Sequence, residues 1–116
     1  MNSLRLAKEF LGKKVLVKVE QTAFIPTLFT PNSDGNNDYL KVYGLASVNG
    51  YRLKIYNREG NLIYETSDPA ASGWDGTKNG TEQPSGVYYW KVEGMYMSGS
   101  QLLLNGKSSG SIVLMR

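Results

Sequence analysis

Arg52-Leu53-Lys54-Ile55-Tyr56-Asn57-Arg58-Glu59-Gly60-Asn61-Leu62-Ile63-Tyr64 decides the fold class. Leu53 and Ile55 alternate with Arg52, Lys54 and Tyr56, the period of two that places apolar side chains on one face of a strand. Leu62-Ile63-Tyr64 is a second, short apolar run. Between the two, Arg58-Glu59-Gly60-Asn61 has the length of a tight hairpin connection, with Gly60 able to take positive φ.

The same grammar extends in both directions. Val15, Val17 and Val19 alternate with Leu16, Lys18 and Glu20, and Leu40 and Val42 alternate with Lys41 and Tyr43. Tyr88, Trp90 and Val92 face one way, while Tyr89, Lys91 and Glu93 face the other. Leu102-Leu103-Leu104 and Ile112-Val113-Leu114-Met115 complete the apolar runs. Asp75-Gly76, Asn79-Gly80 and Asn105-Gly106 are strong turn dipeptides. Pro26, Pro31, Pro69 and Pro84 fall between runs, as ladder hydrogen bonding demands. The pattern predicts an all-β protein, an antiparallel immunoglobulin-like β-sandwich of about seven strands, with a barrel as the other arrangement. Only Ser3–Leu11 reads as helical, since Leu4, Ala7, Lys8 and Leu11 share one side; at about two turns it is marginal alone.

Composition narrows the chemistry. The 116 residues suit a single domain, and 41% hydrophobic residues suffice for one core. The absence of cysteine removes disulfides, thiolate nucleophiles and thiolate zinc sites, and the absence of histidine removes imidazole ligands and the usual general base. Net charge is +3, and Lys and Arg are scattered singly apart from Lys13-Lys14. No basic stripe points to nucleic acid. No run approaches the ~20 apolar residues of a membrane helix, and Lys8 and Glu9 interrupt any signal-peptide core near Met1. Asp34, Asp38, Asp68 and Asp75 lie in turn-like segments, and no spacing brings two of them together as an acid–base pair. The expectation is that the chain is not an enzyme.

Two polar segments carry a signal. Asn32, Asp34, Asn36 and Asp38 fall at every second position around Gly35, a pattern whose oxygens can wrap Ca²⁺. No acidic residue occupies the twelfth position of an EF-hand, and the alternative is a run of Asx-turns satisfying the loop's own N–H groups. In Gly73-Trp74-Asp75-Gly76, Trp74 is either a sugar-stacking platform or a plug closing one end of the sandwich, with Asp75 accepting turn N–H bonds. Gly60, Trp74, Asp75, Gly76, Tyr88 and Trp90 are expected as turn and core residues. Tyr56 and Tyr89 lie on the polar phase of their strands, where an exposed pair could form an adhesive patch.

Phe29-Thr30-Pro31-Asn32-Ser33-Asp34-Gly35-Asn36-Asn37-Asp38 resembles the "FTPNGDGxND" opening of the gliding motility-associated C-terminal domain, the type B sorting domain of the Bacteroidota type IX secretion system. Leu53–Glu65 resembles that family's "hydrophobic-x-I-[YF]-N-R-W-G-x-x-V-[YF]-E". Trp74-Asp75-Gly76 is similar to its "WDG", Pro84–Tyr89 to "P-x-G-[TV]-Y-[FY]", and Gly110–Arg116 to its closing "G-x-[IV]-x-[LI]-x-R". The blocks run in order across residues 25–116. Ser33 stands where the family has Gly, Glu59 where it has Trp, and Met95–Ser109 is longer than the usual hairpin. Residues 1–24 fall outside the resemblance, as an upstream strand or a remnant of a preceding domain, with Met1 a start added to a cut fragment.

The resemblance implies a sorting domain that directs a larger cargo protein across the outer membrane and retains it at the cell surface, with a signal peptide on the full-length protein. The implied partners are the type IX translocon, a small outer-membrane barrel protein and N-terminal cargo domains of the same chain. The last strand, Ser111-Ile112-Val113-Leu114-Met115-Arg116, is the expected recognition element, read near a sheet edge by strand addition, with the chain stopping directly after it. The rival reading is a calcium-dependent adhesive or carbohydrate-binding β-sandwich, resting on the Asn32–Asp38 loop and the tyrosines.

Overall fold

The computed structural model describes residues 4–10 and 13–18 as paired backbone, and residues 23–31 and 38–116 in full. Every regular element among them is a strand: β1 (Leu4–Phe10), β2 (Lys13–Lys18), β3 (Leu28–Phe29), β4 (Val48–Tyr56), β5 (Leu62–Thr66), β6 (Thr77–Lys78), β7 (Thr81–Glu82), β8 (Gly86–Tyr96) and β9 (Ser109–Leu114). The main sheet has five strands in the order β3-β9-β8-β4-β5. Its neighbours are antiparallel except β3 and β9, which run parallel through Leu28↔Val113 and Phe29↔Leu114. The expected hairpin joins β4 to β5. Its turn is held by the Asn57 side chain, whose Oδ1 accepts the Glu59 N–H at 3.1 Å and the Asn61 N–H at 2.9 Å, with Gly60 at φ +87°.

The facing layer is built from bridges rather than long ladders. Phe24 exchanges both backbone hydrogen bonds with Tyr43, each at 3.0 Å, and Leu40 does the same with Trp74 at 2.7 and 3.1 Å. Pro26 marks the point where the segment 23–31 changes layers. Ala23 and Phe24 bridge Leu104 and Tyr43, whereas Leu28 and Phe29 join the main sheet. Proline has no N–H to offer either ladder, so the crossover residue leaves no donor unpaired. Between the layers lies one core. Phe29, Leu53, Ile55, Tyr88, Trp90, Ile112 and Leu114 are buried from the main sheet against Ile25, Leu40, Trp74, Leu102 and Leu104. The described body is thus a β-sandwich, and alternation places each buried residue as expected: Leu53, Ile55, Tyr88, Trp90 and Val92 are buried, while Arg52, Tyr89, Lys91 and Glu93 are exposed.

Ser3–Leu11 corrects the helical reading. Leu4–Phe10 is a strand paired antiparallel with Lys13–Lys18 in a separate two-stranded sheet. The register shifts between Leu6 and Lys8. One extra residue in a period-two strand leaves Leu4, Ala7, Lys8 and Leu11 at helical spacing, which is why the pattern misleads. A two-turn helix has too few hydrogen bonds to compete with strand pairing.

Candidate functional site

The Trp74-Asp75-Gly76 turn and the last strand meet at one end of the sandwich. Trp74 is fully buried and closes that end. Its indole N–H donates to the Thr77 carbonyl at 2.8 Å, and its ring stands edge-on to Tyr88 with centroids 5.1 Å apart. A ring with no exposed face offers a sugar nothing to stack on. Gly73 must be glycine: a Cβ there would run into the Leu40 carbonyl, the group that accepts the Trp74 N–H. Asp75 accepts the Thr77 N–H at 3.0 Å and the Thr77 hydroxyl at 2.7 Å, fixing the turn.

Arg116 is folded back over this turn. Its Nη2 donates to the Gly76 carbonyl at 2.7 Å, its Nε to the Gln83 carbonyl at 2.8 Å, and its backbone N–H to the Ser85 hydroxyl at 2.9 Å. Nη1 lies 3.4 Å from a Glu82 carboxylate oxygen that is mostly in solvent, so this ion pair adds little. The Gly76 carbonyl also accepts the Gln83 N–H at 2.9 Å. Gly76 itself sits at φ +84°, and a Cβ on it would lie 3.0 Å from Arg116 Nη2 and 3.1 Å from Pro31 Cγ. Through its guanidinium and its backbone N–H, Arg116 ties the end of the last described segment to the turn after Trp74 and to the residues just before β8. Tyr88 completes the cluster, its hydroxyl donating to the Pro84 carbonyl at 2.7 Å. Burial pushes the Tyr88 phenol above the usual tyrosine range; Arg116 opposes the shift and Glu59 adds to it.

The candidate recognition strand is one position in from the sheet edge. Leu114 and Ile112 are buried, and Val113 and Met115 are exposed. Val92 N–H donates to the Ser108 carbonyl at 2.9 Å, which fixes the phase of the β8–β9 ladder: backbone groups of even-numbered residues of β9 face β8, and those of odd-numbered residues face away. Val113 and Met115 use their outward N–H groups on the Thr27 and Phe29 carbonyls, both at 2.9 Å. Ser109 and Ser111 point the same way, and among the described residues no strand pairs with them there. Gly110 between them lets the Trp90 ring approach so closely that a Cβ would come within 2.7 Å of Trp90 Cζ2.

Asn32, Asp34 and Asn36, the core of the candidate Ca²⁺ loop, lie outside the described residues. Asp38, its last position, is described and lines an open groove with Tyr39, Asp75, Glu82 and Arg116. Among the described residues no three Asp or Glu side chains are grouped as a metal would require.

Asn105 was missed. Read as half of a turn dipeptide, it is at φ +53°, but its side chain also acts as a strand partner. Oδ1 accepts the Ile25 N–H at 3.2 Å and Nδ2 donates to the Ile25 carbonyl at 2.9 Å. The available signal was the apolar Leu102–Leu104 run just before it, which marks the long Met95–Ser109 connection as part of the core; Leu102 and Leu104 are both fully buried.

A family model described as the CHU_C type IX secretion signal domain matches residues 23–112. The search of curated proteins found no match. The matched span contains the sandwich with its Trp74 plug, Gly76 turn and most of β9.

Proposed function

The chain belongs to the type IX secretion signal domain family, and from that premise we propose a specific way in which this sorting module is read. The chain serves as a folded, non-catalytic export tag of a larger surface protein of the Bacteroidota. Cargo domains and a signal peptide precede it in the full-length protein, and residues 1–24 are an upstream addition to the sorting fold. The translocon, with a small outer-membrane barrel protein, engages the last strand, Ser111–Arg116, from its outer side. The observation that carries this reading is the half-covered edge of β9: Val113 and Met115 are paired to the segment around β3, while Ser109 and Ser111 present outward backbone groups with no described strand beside them. An unpaired stretch of two or three residues in an otherwise rigid sheet is a short template for strand addition.

A proline tests it. Ser111→Pro removes an N–H that faces away from β8, so no β8–β9 hydrogen bond is lost. The domain is fused behind a signal peptide and a fluorescent cargo in a type IX-competent cell. Export of the Ser111→Pro fusion is expected to fall about tenfold while its melting temperature stays within a few degrees of the parent. Ser109→Pro gives a second, independent block on the same edge. Normal export of both folded variants would remove strand addition at this edge from the mechanism.

A further inference from the structure

The outer face of the main sheet carries an apolar stripe that crosses every strand. Leu28 on β3 pairs with Val113 on β9, which pairs with Val87 on β8. Two residues along β8, Tyr89 pairs with Tyr56 on β4, and Tyr56 pairs with Leu62 on β5. Leu28, Val113, Tyr89 and Leu62 are each more than a third exposed, and Val87 and Tyr56 are half-buried. With strands about 4.8 Å apart, the stripe is roughly 19 Å wide. It lies on a sheet face rather than in a cleft, which suits the side chains of another protein better than a small ligand.

Beside the stripe sits a like-charge pair. Lys54 and Lys91 are directly opposite each other on β4 and β8, an arrangement that weakens a sheet unless something else compensates. Among the described residues neither ammonium forms an ion pair, although Glu93, opposite Arg52, shares the face. Glu65, the register partner of Lys54 on β5, is bonded to Arg52 at 3.1 Å. Lys91 instead leans over the Tyr56 ring, 5.8 Å from its centroid. Tyrosines flanked by two ammonium groups that form no ion pair among the described residues are electrostatically complementary to carboxylates set beside apolar side chains.

We propose that this face docks an acidic protein surface: one or two Asp or Glu side chains placed against Lys54 and Lys91, with apolar side chains on Tyr56, Tyr89 and Val113. The inference rests on the secretion reading, because it assigns the face to a component of the export machinery. It is independent of strand addition at β9.

The test uses the same cargo fusion. The charge-reversed pair Lys54→Glu with Lys91→Glu is expected to lower export at least about tenfold, the conservative pair Lys54→Arg with Lys91→Arg to restore it, and Lys41→Glu on the opposite layer to leave it unchanged. Melting temperatures confirm that each variant is folded. Equal export by all the variants overturns the inference, as does an equal loss with Lys41→Glu, which would report net charge alone. A photoreactive phenylalanine analogue at position 89, against one at position 43 as control, supplies a second readout. Cross-linking from position 89 alone to a peptide containing Asp or Glu supports the proposal; no cross-link, or one to a basic peptide, overturns it. Flotation of the unmodified chain with phosphatidylglycerol vesicles, lost on charge reversal, would make the occupant a lipid and also overturn it. If the parent fusion itself is not exported, the secretion reading fails, and the cross-link still decides whether the face binds an acidic protein.

Discussion

Arg116 and Gly76 divide the labour at the end of the sandwich. The glycine holds a left-handed backbone and leaves its carbonyl open to the guanidinium. Gly76→Ala adds both a left-handed penalty and a methyl group 3.0 Å from Arg116 Nη2, so a loss of about 2–4 kcal/mol is expected by urea unfolding. Arg116→Ala should cost about 1–3 kcal/mol, because two backbone carbonyls lose a charged donor. Arg116→Lys should recover less than half of that, since one ammonium cannot span the Gly76 and Gln83 carbonyls as the planar fork does. If Arg116 acts only as this clamp, export of its variants will track their stability; a fully stable Arg116→Lys that is not exported would give the side chain a recognition role of its own. The Asp75-Gly76 turn was legible because it depends on local chemistry, whereas for Trp74 the sequence left a platform and a plug both open. The clamp was not legible, because the sequence separation between Arg116 and Gly76 hides a contact that only the closed sandwich creates.

The Met95–Ser109 connection and the segment 23–31 form a joint at the scale of elements. Leu102 and Leu104 reach the core, and Asn105 then completes both backbone bonds of Ile25. Leu104→Ala is expected to cost about 2–5 kcal/mol by leaving a cavity. Asn105→Ala is expected to cost about 1–3 kcal/mol, by stranding the N–H and carbonyl of Ile25, a buried residue. If the two positions act through one joint, the double variant will lose less than the sum of the single losses, which a double-mutant cycle measures. Main-sheet strands were readable because one face is buried and the other wet, which stamps period two on the residues. The facing layer is made of single bridges at Phe24, Leu40 and Trp74, and apart from the alternation of Leu40–Tyr43 its segments are too short to show a period. β1 failed for the opposite reason: its register shift erased a period that was there.

For the molecule as a whole, the absence of histidine and cysteine means that no side chain has an ordinary pKa between about 5 and 8. Its alkaline limit is set by buried phenols. Tyr51 is raised well above the usual tyrosine value by burial, with Tyr64 adding to the shift. Tyr64 is raised by burial and by Asp75 and Asp68, against a lowering hydrogen bond from Thr66, and Tyr88 is raised chiefly by burial. Raised phenols bind their protons more tightly in the folded state than in the unfolded chain, where tyrosine titrates near 10. The stabilisation is therefore fully present below about pH 10 and is lost as pH climbs from there toward the higher folded values. From these phenols, melting temperature should be level between about pH 6 and 9 and should fall steeply beyond about 10. Because Tyr51 lines the core beside Leu53 and burial raises its phenol strongly, its tyrosinate absorbance should rise together with loss of the fold. Absorbance that completes its rise while the sandwich remains intact would mean this phenol titrates in water, and the packing around it would have to be looser than described.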